Sequence, residues 1–120
     1  MERLNEFIYD ALVSNSALTN LVNDNIFVVD VPESTDNPVI QFARIIESNH
    51  NKLSRNDKAT ILMNIYTDDY YSGCDIVKMV TDTIDRKSDK NNGINGIYRE
   101  SVREVKSEYA HIQTITFNVS

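Results

Sequence analysis

Cysteine, glycine, proline and basic residues are all scarce in this 120-residue chain, and each shortage closes off a chemistry. The single cysteine, Cys74, forms no intrachain disulfide, which fits folding in a reducing compartment such as a cytoplasm. With three glycines there is little material for a phosphate cradle; Asn92-Gly93-Ile94-Asn95-Gly96 lacks the closing Lys-Ser/Thr and reads as a turn. Twelve Lys and Arg against 18 Asp and Glu leave a formal charge of -6. That sign argues against a dedicated nucleic-acid binder, whose phosphate contacts need a basic face. No apolar run approaches the ~18 residues of a membrane span. The start, Met1-Glu2-Arg3-Leu4-Asn5-Glu6, lacks the segments of a secretion signal. The expectation is a soluble protein of one domain, residues 1–120, with no membrane partner.

Convergent reactive groups are equally thin. His50, Cys74 and His111 are far apart and have no metal-ligand spacing. Cys74 falls on an apolar helical stripe, where a small thiol is ordinary packing. Asp82 with Asp85, and Asn23-Asp24-Asn25, are rich in oxygen but lack the ligand order of a calcium loop. A histidine without an identifiable nucleophile proposes no reaction. The sequence therefore reads as a non-enzyme, with no catalytic residue, metal or cofactor.

What is present is pattern. Leu4, Phe7, Ile8, Ala11 and Leu12 share one helical face, and a second short helix through Leu18, Leu21 and Val22 is expected, capped by Ser16 and ended by Asn23-Asp24-Asn25. Ile26 to Val29 reads as a strand. Pro32 and Pro38 bracket an exposed loop, after which Val39 to Ile46 is a largely buried strand. Ala59, Ile61, Met63 and Ile65 alternate with polar or larger residues as its antiparallel partner, across the polar tip Asn49 to Asp57.

Around Asp68 and Asp69 the apolar period changes from two to about 3.6, so the strand runs straight into a helix that either aspartate can cap. Tyr70, Cys74, Val77, Val80 or Thr81, and Ile84 form its predicted buried stripe. Arg86, Lys87 and Lys90 are expected to complement its carbonyl end. Ile97 to Tyr109 fits a helix or a strand. The alternation of His111, Gln113, Ile115, Phe117 and Val119 favours a closing hairpin turning near Lys106-Ser107-Glu108. The expected class is α+β, with an N-terminal helix, a mainly antiparallel sheet of about four to five strands, one long amphipathic helix packed on the sheet, and a C-terminal β-hairpin.

Three stretches carry a resemblance that spans nearly the whole chain. Ala17-Leu18-Thr19-Asn20-Leu21-Val22 runs into Ile26-Phe27, Pro38-Val39-Ile40-Gln41-Phe42 follows, and Ile61-Leu62-Met63-Asn64-Ile65-Tyr66-Thr67 leads into a helix. In this order they resemble the tail-completion, or tail-terminator, proteins of long-tailed bacteriophages and prophages, as does the ending Thr114-Ile115-Thr116-Phe117-Asn118-Val119. Asn23 stands where that family often has glycine. The resemblance implies an α+β subunit that forms a ring with itself, usually a hexamer, on the last ring of the tail tube. Such a ring ends tube polymerisation and meets the head-tail connector protein, while DNA passes through without specific binding. It implies a place in the virion, at the head-proximal end of the tail, and in the host cytoplasm during assembly. Lys52, Arg55 and Lys58 around the polar loop, with Tyr71 at a helix start, are the candidate contacts with a neighbouring subunit or the tail-tube protein. The other readings are a head-tail connector or neck component, and a monomeric acidic binding or regulatory module.

Overall fold

The computed structural model describes residues 3–48 and 58–120, with side chains described outside 46–48. Its first helix, α1 (Leu4–Val13), buries Leu4, Ile8 and Leu12 completely, one residue per turn on the predicted face. Each such side chain contributes about 1.5–3 kcal/mol relative to an exposed one. Helix α2 (Ser16–Val22) follows almost without a linker. Its cap is Asn15 rather than the expected Ser16: the Asn15 carbonyl oxygen accepts the Leu18 N–H at 3.2 Å, and its amide donates to the Thr83 hydroxyl at 2.9 Å. The asparagine side chain divides the two roles between its oxygen and its nitrogen. Asn23 ends α2 at φ 52°, a left-handed conformation that asparagine tolerates better than other non-glycine residues.

Strand β1 (Ile26–Val28) stops where Val29 takes φ 69°. Strands β2 (Val39–Ser48) and β3 (Lys58–Thr67) are the expected antiparallel pair, with a bulge between Arg44 and Ile46 that leaves Ile45 exposed. Odd positions 59 to 67 of β3 are buried, as the alternation predicts. Helix α3 (Tyr70–Ile84) begins at Asp69, whose carboxylate accepts the Ser72 N–H at 3.1 Å; Asp68 instead accepts from the Asn37 amide at 3.0 Å.

The buried stripe of α3 is Gly73, Ile76, Val77, Val80 and Ile84. Tyr70 and Cys74, expected to lead it, lie to one side, Tyr70 exposed and Cys74 half-buried. The reason is Gly73: a Cβ there would come within 2.9 Å of the Gln113 amide and 3.0 Å of the Thr67 hydroxyl, so only a glycine lets the helix approach the sheet this closely. The basic residues do not close α3 either. Asp85 is its last cap, Arg86 turns away at φ 64°, and Lys90 sits in a short 3₁₀ turn (Lys90–Asn92).

The ambiguous segment is a strand, β4 (Ile97–Lys106), which forms the closing hairpin with β5 (His111–Val119). The five strands lie in the order β1-β2-β3-β5-β4, antiparallel except that β1 runs parallel to β2. The fold is thus α+β with a mixed sheet. The core lies between that sheet and the three helices and contains Phe42, Ile61, Met63, Ile65, Ile115 and Phe117 beside the helical stripes.

Candidate assembly surface

Helices α1, α2 and α3 pack on one side of the sheet, and among the described residues no helix covers the other side. Residues opposite one another across a ladder point to the same face. The register therefore places Gln41 and Ala43 of β2, Thr60, Leu62, Asn64 and Tyr66 of β3, and Ile112, Thr114 and Thr116 of β5 on the open face. Tyr98, Ser101, Arg103 and Val105 of β4 continue it to the sheet edge. The β2, β3 and β5 residues are half-buried by their neighbours, whereas those of β4 are exposed.

A row of side-chain hydrogen bonds orders this face. The Thr114 hydroxyl donates to the Asn64 carbonyl oxygen at 2.8 Å, and the Asn64 amide donates to the Gln41 carbonyl oxygen at 3.1 Å. The Gln41 amide closes the row on the Val29 main-chain carbonyl, at the start of the loop joining β1 to β2. Beneath that loop is a cleft of about 460 Å³, lined by Val29, Asp30, Val31, Asn37, Gln41 and Tyr66 among others.

Charge is distributed unevenly between the two sides. Among the described residues, no Asp or Glu occupies a register-paired position on the open face, whereas Lys58 and Arg103 do. The acidic margin is the β1–β2 loop, with Asp30, Glu33 and Asp36. On the helical side, Glu6 and Asp10 of α1 and Asp75 and Asp82 of α3 are exposed, with Lys78 the one basic residue within either helix.

At the hairpin end, Tyr70 stacks edge-on to Tyr71, with ring centroids 5.4 Å apart, and to His111 at 6.3 Å. The Tyr70 hydroxyl donates to the Glu104 carboxylate at 3.1 Å. Contacts with Cys74 and then Glu104 push its pKa up to about 12, because ionising the phenol would lose hydrogen bonds and set it against negative charge. Gln113, a buried polar residue, donates to the Cys74 sulfur at 3.5 Å.

The four residues singled out in the sequence do not form one site. Lys52 and Arg55 lie outside the described residues, as do His50 and the tip 49–57. Lys58 is exposed at the start of β3, beside a cleft of about 410 Å³ that Tyr98, Asn118 and Ser120 also line. Tyr71, in the first turn of α3 just beyond the other end of that strand, is 74% exposed. Ten residues of β3 separate the two ends by about 30 Å. The open face itself went unrecognised in the sequence. Its signal was there in the even positions of β3 and β5, which apart from Lys58 are hydroxyl, amide or aliphatic and are never acidic.

No family model and no curated protein matches this sequence. Among solved structures, the chain is similar to one from the "Virion of native gene transfer agent (GTA) particle", with a TM-score of 0.73, 12% identity, and coverage of 93% of this chain and 89% of that one. At that identity the likeness is one of fold.

Proposed function

We propose that this chain is a structural subunit of a phage virion, and that it acts as a tail terminator: a ring that caps the tail tube, ends its polymerisation and forms the tail side of the head-tail junction. The observation that carries the reading is the likeness to a chain of a gene transfer agent virion over nearly the full length of both chains. The order of the Leu18–Phe27, Pro38–Phe42 and Ile61–Thr67 stretches supports it, since those segments form α2 with β1, β2 and β3. An uncovered sheet face suits a protein that works by contact. The reading assigns no catalytic step, metal or cofactor, and places the ring between the tail-tube protein and the head-tail connector.

Deleting the coding sequence from its phage or prophage and imaging the tails by electron microscopy tests the role. Overlong tubes are the expected result. Tails of normal length without heads would instead make the chain a connector component, and normal joined particles would remove both roles.

A further inference from the structure

The open sheet face and the exposed surfaces of α1 and α3 differ in charge, and the difference suits one copy to receive the next. We propose that the open sheet face is the subunit contact, and that its occupant is the acidic helical layer of a second copy, stacked head to tail. The proposal rests on the ring reading above but makes a separate claim about which surfaces meet.

Three observations carry it. First, a chain of charge -6 repels its own copies, and the open face is the side on which strand positions bring Lys58 and Arg103 with no opposing carboxylate. Helices α1 and α3, with Glu6, Asp10, Asp75 and Asp82 exposed against Lys78, have the complementary sign, with Arg99 and Lys106 of β4 at the margin of that side.

Second, the polar groups at the centre of the face already have partners. Gln41, Asn64 and Thr114 bond to one another and to the Val29 carbonyl, so covering them with protein leaves few donors and acceptors orphaned. Half-exposed Leu62 and Ile112 lie beside them and supply apolar area.

Third, the dimensions fit. Four strands about 4.8 Å apart and rising about 3.3 Å per residue give a face of roughly 600 Å², at the lower end of the ~600–1,000 Å² per partner of a standard protein interface.

Extension of the sheet from edge to edge is the poorer alternative. The Ile97 N–H and C=O are already bonded to Lys87 and Arg86, and the Arg99 N–H to the Asp85 carboxylate, so the first part of the β4 edge is occupied. At the other edge, β1 has three residues, and turns with Asp24 and Asp30 take up the Ile26 N–H and the Val28 carbonyl. A contact between unlike surfaces generates a ring when its rotation closes, which a two-fold face-to-face pairing does not.

The test exploits sign. Thr116 lies on the open face between Leu62 and Ser101 and is half-buried. Thr116→Glu and Thr116→Lys place side chains of similar length on the same strand, so fold damage would affect both alike. Sedimentation across a concentration series, with melting temperature as a control, should show association weakened at least about tenfold for Thr116→Glu, with Thr116→Lys retaining or exceeding wild-type association. Equal loss in both variants would point to face-to-face pairing and overturn the head-to-tail contact. Unchanged association in both would remove the face as an interface, and so would a wild-type chain that is monomeric at every concentration, both alone and with tail tubes added. Deletion imaging remains independent: overlong tails alongside insensitive variants would keep the terminator role and discard this contact, while the reverse pair of results would do the opposite.

Discussion

At the scale of single residues, the informative positions are those where one atom more or less decides the packing. Gly73 holds α3 against Gln113 and Thr67, both at least 97% buried, so the Cβ of Gly73→Ala has no free space. That substitution is expected to cost about 1–3 kcal/mol, read by urea denaturation. Gly96→Ala would first meet the Tyr98 ring, which is 52% exposed and can swing aside, so its cost should be smaller. If the order were reversed, close approach of helix and sheet would not be what fixes Gly73. Val29 offers the opposite case. A β-branched residue at φ 69° is strained, and Val29→Asn should stabilise the fold by about 1 kcal/mol while preserving the carbonyl that Gln41 uses.

Tyr70 gives a prediction in pH. Its folded pKa is raised from 10.0 to about 12, so the folded chain holds that proton after the unfolded chain has released it. Its contribution to stability is present below pH 10 and is lost as pH rises towards 12. Ultraviolet titration should show one of the six phenols ionising late, and Tyr70→Phe should remove that late component. A titration curve unchanged by the substitution would dissociate the shift from this residue.

At the scale of elements, the polar punctuation of the chain does much of the placing. Asp69 joins the end of β3 to α3 by accepting both the N–H and the hydroxyl of Ser72, at 3.1 and 3.0 Å. Asp69→Ala should cost about 0.5–2 kcal/mol, and Asp69→Asn, which can still accept, clearly less. Asn15 caps α2 and also ties it to α3 through Thr83, so Asn15→Ala should exceed the effect of a simple cap. Denaturation of Thr83→Val separates the two: coupling between residues 15 and 83 in a double-mutant cycle is expected, and strict additivity would remove the tie.

At the scale of the whole molecule, the layers decide what is available to a partner. Helices cover one side of the sheet and leave the other to the Gln41–Asn64–Thr114 row, so side rather than sequence neighbourhood defines the surface. Lys58 starts β3 and Tyr71 lies in α3 beyond the far end of that strand, which is about 30 Å long. If the proposed tail-terminator role holds, Lys58→Glu and Tyr71→Ala should therefore act additively on the joining of tails to heads, without lowering the melting temperature. Marked non-additivity in the yield of joined particles would mean that one partner bridges both ends.

Much of the fold was determined locally. The 3.6-residue spacing of Leu4, Ile8 and Leu12, the alternation of β3 and β5, the change of period at Asp68-Asp69 and the turn after Lys106 all depend on neighbours within a few residues, and each is legible in the chain. Even Asn23 follows the local demand for positive φ.

Tertiary structure decided the rest. Ile97 to Tyr109 has almost no buried side of its own, so only pairing of β4 with β5 selects strand over helix. The parallel seat of β1 on β2, the displacement of Tyr70 and Cys74 from the α3 core stripe, and the exposure of the face that carries the even positions of β3 and β5 come from register and from the contact Gly73 permits. Periodicity tells which residues share a side of one element. It carries no information on which side another element will cover, because that depends on contacts between segments far apart in the chain.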